Sequence, residues 1–130
     1  MKNIVIVIIL TLTLNCFSQT QAEMDNNAYA EFNKADKELN KVYQKILTEY
    51  KSDSIFVKNL KNAQNIWVKF RDAELEMKYP NYKELHYGTS YSMCKNYYLK
   101  ELTKERTKKL KVWLIGIKEG EICSGSVKIN

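Results

Sequence analysis

The chain has 130 residues, the length of one domain, with 45% hydrophobic and 28% charged side chains and a formal net charge of +6. That balance excludes a disordered chain, and four Gly and one Pro are too few for the turns of a multi-strand sandwich or barrel. One His and three Cys supply neither a zinc-finger spacing nor a Cys/His ligand cluster, so no metal, cofactor or His-based catalytic site is expected.

Residues 1–18 read as an export signal rather than as part of the fold. Lys2 gives a positive start, and Ile4 to Leu14 is an uninterrupted apolar run. The run is shorter than the roughly 20 residues a membrane-spanning helix needs, and it fits the apolar core of a secretory signal peptide. Cleavage after Ser18 places Cys16 and Ser18 at the two positions the peptidase reads. Removing 18 of the 130 residues leaves 112, starting at Gln19. Cys16 also permits a lipoprotein reading with a lipid anchor, but Thr13 and Asn15 fit a lipobox poorly. The expected location is periplasmic or secreted, with no membrane span in the mature chain. Without Lys2, 20 basic side chains face 15 acidic ones. Export argues against nucleic acid as a partner. It leaves anionic lipid headgroups or wall polymers for a basic surface, beside the plainer role of solubility.

The first helix is expected to start near Thr20, where Thr20-x-x-Glu23 has the form of a capping box. Apolar residues then recur at Met24, Ala28, Phe32, Ala35, Leu39, Val42, Ile46 and Tyr50, in steps of three and four along one stripe. The segment Lys51-Ser52-Asp53-Ser54 breaks that pattern and offers a new N-cap. A second helix carries Phe56, Leu60, Ala63, Trp67, Phe70 and Met77, with Ile66 and Leu75 widening the stripe. Pro80 ends it, because the residue before a proline resists helical geometry. After a loop, Thr89 or Ser90 is placed to cap a third helix. Its stripe is Cys94, Tyr98, Leu102, Leu110 and Trp113 or Leu114, with Arg106 at an expected apolar position. From Lys111 the chain reads either as more helix or as a short strand, and residues 115–130 as an irregular tail.

Three amphipathic helices with short connections predict an all-α, antiparallel three-helix bundle, with its core over about residues 21–114. If helices 1 and 2 turn near Ser52, Asn40 lies level with Gln64, and Asp36 lies near Arg71. An Asp36–Arg71 pair is then expected, as a structural contact more than a catalytic one.

These polar positions carry a family resemblance. The signatures are Ala35-Asp36-x-Glu38-Leu39-Asn40-x-x-Tyr43, then Ala63-Gln64-x-x-Trp67, then Arg71-Asp72-Ala73. Gly88-Thr89 follows, with Cys94 and Leu102-Thr103-x-x-Arg106. In this order and approximate spacing they resemble the LprI-type lysozyme-inhibitor domain family, over roughly residues 21–110. The resemblance implies a small exported helical domain. It also implies that Asp36, Asn40, Gln64, Trp67, Arg71, Asp72 and Arg106 form the family's structural motif. Some members are described as lysozyme inhibitors and others have no assigned activity, so the family name carries the fold more securely than the function.

The cysteines depart from the family pattern. Members commonly place a Cys shortly after Arg-Asp-Ala, where this chain has Leu75. Another is usual near the first helix's start, where this chain reads Asp25-Asn26-Asn27. Cys94 and Cys123 are the only cysteines after Ser18, and outside the cytoplasm two cysteines commonly pair. Distance leaves the pairing open. If the third helix runs to Ile115, Cys94 lies about 31 Å away along it, and eight residues of tail reach back only about 27 Å. If it ends near Leu110, the tail reaches easily. The bond would close a loop worth roughly 3–4 kcal/mol in the chain-entropy model.

His86, the one imidazole, has no Ser or Cys elbow beside it and reads as an exposed loop residue. Lys100, Lys104, Lys108 and Lys111 recur at helical spacing and read as a solvated face, with a membrane or polymer contact as the lesser reading. The loop from Tyr79 to Thr89 is the candidate contact surface, through Tyr79, Tyr82, Lys83, His86 and Tyr87. Tyrosine offers large area at low rotamer cost, although packing of these rings on the bundle's end is the simpler expectation. Animal-type lysozymes are basic, as is this chain, so steering would need a local acidic patch such as Glu74, Glu76 and Glu84.

Two readings follow. One is an exported inhibitor that docks on a muramidase and catalyses nothing. The alternative is a helical envelope module that binds another protein or an anionic wall polymer, without lysozyme inhibition.

Overall fold

A computed structural model of the chain describes residues 2–81 and 87–130, with side chains inside the first helix described from residue 20. Three helices follow in order: α1 (Lys2–Glu49), α2 (Ser54–Lys78) and α3 (Tyr91–Ile115). The contacts fix their directions. Glu38 meets Lys111 and Tyr50 meets Trp113, so α1 and α3 run parallel. Gln64 meets Arg106 and Glu74 meets Tyr98, so α2 runs antiparallel to α3. This is the expected up-down-up bundle.

The α1 stripe packs as its spacing predicts. Ala28, Ala35, Leu39, Val42 and Ile46 are buried, and Leu39, Val42 and Ile46 join Leu60 and Leu110 in one core cluster. Each such aliphatic side chain contributes about 1.5–3 kcal/mol by leaving water. Tyr50, Phe56 and Trp113 close the core at the α1–α2 turn. The Tyr50 and Phe56 ring centres lie 4.5 Å apart, those of Phe56 and Trp113 lie 6.3 Å apart, and the Tyr50 hydroxyl donates to the Trp113 carbonyl at 3.1 Å. Asp53 caps α2 by accepting the Phe56 N–H at 2.9 Å. The helix stops at Lys78, two residues before Pro80.

Four local expectations are corrected. Thr20 is not a helix start: α1 begins at Lys2 and runs through it, because no Gly or Pro interrupts residues 2–49. Ser90 holds the N-cap position of α3, but its side chain makes no capping bond. The buried line of α3 is Leu99, Thr103, Thr107 and Leu110, one position on from Cys94, Tyr98 and Leu102, which are half-buried. Two threonines hide this line in the sequence, since they count as polar, yet they are short and lie in the close α1–α3 interface, where Thr107 and Ala35 share one groove. On α2 only Leu60 is buried, with Phe56 and Trp67 half-buried; Ala63, Ile66, Phe70 and Met77 remain exposed. The stripe is real, but α2 lies further from α1 than α3 does, and its outer part is uncovered.

The tail folds back on the end of α3. Ile117 and Ile129 form an isolated parallel bridge, with Ile117 N–H to Lys128 O and Asn130 N–H to Ile117 O both 2.9 Å. Trp113 Nε1 donates to Ser126 Oγ at 3.0 Å, and Lys128 reaches Glu49 at 3.3 Å. Gly116 turns the chain at φ +84°, and a side chain there would collide with Asn130.

The Cys94–Cys123 pairing, which chain length left open, is not formed in this structure. Cys94 and Cys123 are both free, the first half-buried and the second exposed. α3 continues to Ile115, about 31 Å along the helix from Cys94, and the tail is pinned there through Ile117 and Ile129.

Candidate functional site

The motif residues meet where the three helices face one another. Asn40 Nδ2 donates to Asp36 Oδ2 at 3.0 Å, one turn away on α1. Arg71 on α2 reaches Asp36 at 4.0 Å and makes its closer pair with Asp72, through Nε at 2.9 Å and Nη2 at 2.7 Å. The Asp36–Arg71 pair is therefore present, at the outer limit of an ion pair. The Arg71 guanidinium carbon lies 5.6 Å from the centre of the Trp67 ring, and that of Arg106 on α3 lies 5.9 Å from it. Arg106 Nε also donates to Gln64 Oε1 at 3.1 Å. Burial pushes the Arg106 pKa below the ordinary arginine value, which marks a charge partly removed from water. Gln64, Trp67, Arg71 and Arg106 thus form a continuous polar seam that ties α2 to α3, with Asp36 reaching in from α1.

Beyond this seam, toward the C-terminus of α2, the contacts become aromatic. Tyr98 donates its hydroxyl to Glu74 Oε2 at 3.1 Å, and Lys78 Nζ sits 3.9 Å from the centre of the Tyr98 ring. Burial, then the Glu74 carboxylate, raises the Tyr98 pKa above the usual phenol value. Tyr79, Tyr87 and Tyr91 form a three-ring cluster. Tyr87 stacks on Tyr91 at 5.1 Å, and Tyr79 meets each of them edge-on at 5.5 Å. The Tyr87 hydroxyl donates to the Pro80 carbonyl at 2.6 Å, which ties the returning loop to the end of α2. Burial, then the neighbouring Cys94 and Tyr91, raises the Tyr79 pKa.

Two of these rings, Tyr79 and Tyr91, border a groove of about 830 Å³ between the end of α2 and the start of α3, lined also by Asp72, Leu75, Glu76 and Lys95. Its lining carries two carboxylates against one ammonium, in a chain that is positive overall. Of the five contact residues expected in the loop, Tyr79 and Tyr87 are half-buried in the ring cluster. Tyr82, Lys83 and His86 lie outside the described residues. Tyr91 was missed by the sequence reading; its signal was a fourth tyrosine, after Tyr79, Tyr82 and Tyr87, next to the cap position Ser90. Among the described residues, no group of three or more His, Cys, Asp or Glu side chains could hold a metal ion, and no helix is long and apolar enough to cross a membrane.

A family model described as lysozyme inhibitor LprI matches residues 16–110, well over half of the chain. The chain belongs to the LprI family. No curated protein and no solved structure gives a match. The LprI match takes in α2, most of α1 and α3, the whole polar seam and the tyrosine cluster, and it stops before the tail. All seven motif residues, from Asp36 to Arg106, fall inside it. Within this LprI domain they build a helix–helix seam.

Proposed function

We propose that this LprI-family domain is an exported inhibitor that docks on a lysozyme and blocks it without catalysing a reaction. Membership of a family named for lysozyme inhibition carries this reading. In the proposed sequence of events, residues 1–18 direct export and are removed, and the bundle acts outside the cytoplasm.

The groove bordered by Tyr79 and Tyr91 is the proposed contact surface, together with the loop residues Tyr82, Lys83, His86 and Tyr87. Its chemistry suits a basic enzyme. Glu76 supplies local negative charge that the chain's net charge hides, beside Asp72, whose carboxylate is already paired with Arg71, and tyrosine rings supply contact area at small entropic cost. The seam of Trp67 with two arginines and the Tyr87–Pro80 bond support the walls of the groove itself, which favours docking on a preformed surface there.

A cell-wall lysis assay tests the reading. Residues 19–130 are titrated against several lysozyme types at low and moderate salt. Dose-dependent loss of lysis, saturating near one inhibitor per enzyme, is the expected result. The alanine variant at Tyr82, Lys83, His86 and Tyr87 together should lose inhibition while remaining helical, and Glu76→Lys should weaken it most at low salt. Full inhibition by the folded quadruple variant would remove the loop from the contact surface. No inhibition of any lysozyme by the folded domain would overturn the proposal.

A further inference from the structure

The net charge of the chain is concentrated on one helix. From Gln19 onward basic residues exceed acidic ones by five, and α3 alone carries seven basic residues against two acidic ones. Neither arginine contributes to its open face, because Arg71 lies on α2 and Arg106 is held in the seam with Trp67 and Gln64. The basic residues of the open face are all lysines. Lys100, Lys104, Lys108 and Lys111 line one wall of a groove of about 520 Å³ between α1 and α3, with Lys34 on the facing wall. Its floor is made by Ala35 and Thr107, both buried and short. These two residues let the helices approach, and they leave a trough below the longer lysine side chains.

The acidic residues of the groove cancel only part of this charge. Lys111 pairs with Glu38 at 2.9 Å, and its ammonium holds the Glu38 carboxyl below the ordinary glutamate value. Lys100 lies 3.5 Å from Glu101 and 4.7 Å from the centre of the Tyr97 ring. Glu31, exposed, lines the groove beside Lys34. Among the described residues, no ion pair engages Lys34 or Lys108, and Lys104 has only a 3.9 Å approach to Glu101. The basic track also continues along α1, where Lys34 borders a second hollow with Lys37 and Lys41.

We propose that the α1–α3 groove is a second binding surface, which holds a linear polymer bearing a phosphodiester in each repeat. Three features select this chemistry. Lysines four residues apart on a helix repeat about every 6 Å along its axis, so the groove offers a row of charges rather than a single anion pocket. The cations of the lining are all lysines, compact point charges that suit tetrahedral phosphate. Bidentate recognition of planar carboxylates would instead use arginine forks. A trough with a recessed floor admits a chain between its walls, whereas a planar lipid headgroup layer would touch only the rims. The surface is formed by α1 and α3, while the tyrosine groove lies between α2 and α3, so the two readings stand or fall separately.

Binding of a synthetic poly(glycerol phosphate) oligomer to the full-length chain in neutral detergent, followed by fluorescence anisotropy over a salt series, tests the proposal. The triple variant Lys34→Gln, Lys104→Gln, Lys108→Gln should bind about tenfold or more weakly, and its log–log salt slope should fall by about two. A control variant, Lys58→Gln, Lys61→Gln, Lys69→Gln, removes the same charge from exposed positions on α2 and should bind within about twofold of the parent. Unchanged far-ultraviolet circular dichroism shows that both variants are folded; if the triple variant is not, Lys104→Gln with Lys108→Gln replaces it and should still lose more affinity than the control. Equal losses in the two triple variants would reduce the effect to net charge and overturn the site. Poly-glutamate of matched charge binding as tightly as the phosphate polymer would overturn the phosphate assignment. Tighter binding to micelles doped with an anionic phospholipid would overturn the linear-polymer assignment, and no binding to the polymer at low salt would overturn the proposal as a whole.

Discussion

Arg106 on α3 holds its guanidinium carbon 5.9 Å from the centre of the Trp67 ring on α2, while its Nε donates to Gln64 on the same helix. One side chain thus makes both a cation–π and a hydrogen-bonded contact to a helix that contributes only one fully buried residue, Leu60. The attachment of α2 depends on polar geometry to a degree that the attachment of α1 to α3 does not. Arg106→Lys keeps the charge and loses the Nε–H bond and the planar contact. It should destabilise the domain by about 1 kcal/mol in urea unfolding. A double-mutant cycle with Trp67→Leu should return a coupling of about 0.5–1 kcal/mol. Strictly additive effects would mean that ring and guanidinium do not interact in solution.

Burial differs sharply between α1 and the outer face of α2, and truncation should show it. Ile46 is fully buried, so Ile46→Ala should cost about 2–5 kcal/mol. Ile66 is 56% exposed, and Ile66→Ala should stay within about 0.5 kcal/mol of the parent. Comparable losses at the two sites would show that the outer face of α2 is covered in solution.

The Thr103 hydroxyl is buried without a hydrogen-bond partner, whereas Thr107 Oγ1 donates to the Thr103 carbonyl at 2.8 Å. Thr103→Val keeps the shape and removes an unsatisfied group, so it should leave stability unchanged or raise it by up to about 1 kcal/mol. Thr107→Val removes a made bond and should lower stability. Thermal unfolding of the two variants side by side gives the comparison, and the reverse order would show that Thr103 is satisfied by solvent.

Glu38 illustrates how pH should act on the α1–α3 contact. Lys111 lowers its folded-state pKa, first through the hydrogen bond and then through charge. In the unfolded chain Glu38 takes up protons at a higher pH than in the folded one. Its contribution is therefore complete above the ordinary glutamate range, and it is lost as pH falls through the lowered folded value. The pair is exposed, so the effect is small. Glu38→Gln should slightly lower the unfolding temperature at neutral pH. That difference should fade in acid and in high salt. A difference that persists in acid would assign the effect to packing.

The free cysteines make a direct chemical prediction. In residues 19–130 purified without reductant, Cys123 should react promptly with a thiol reagent, and half-buried Cys94 more slowly, with full labelling on unfolding. A mass showing no free thiol would mean that the tail has left the end of α3 to reach Cys94.

Much of the fold was legible because the helix period is a property of local sequence. The α1 stripe from Ala28 to Ile46, the Asp53 cap and the stop at Pro80 each depend on residues within a few positions of one another. The Asp36–Arg71 approach was also legible, since both sit at similar distances from one short turn. The motif seam could be anticipated as a set of residues but not as a geometry. Nothing in the spacing says that Arg71 and Arg106 both approach the ring of Trp67.

What the sequence by itself determined is the all-helical architecture, the order and direction of three helices, the membership that its motifs announced, and the overall positive charge. The tertiary structure alone decided which side of each amphipathic helix is closed. Thr103 and Thr107 became core because they are small enough for α1 and α3 to come together, and Phe70 and Met77 stayed outside because α2 stands further off. It also decided where charge collects, placing lysines from α1 and α3 along one trough while the carboxylates of Asp72 and Glu76 edge another. Periodicity fixes a stripe's position on its own helix. Burial and electrostatic potential depend on what the neighbouring helix brings within a few ångströms, and that is set by side-chain volume across the interface.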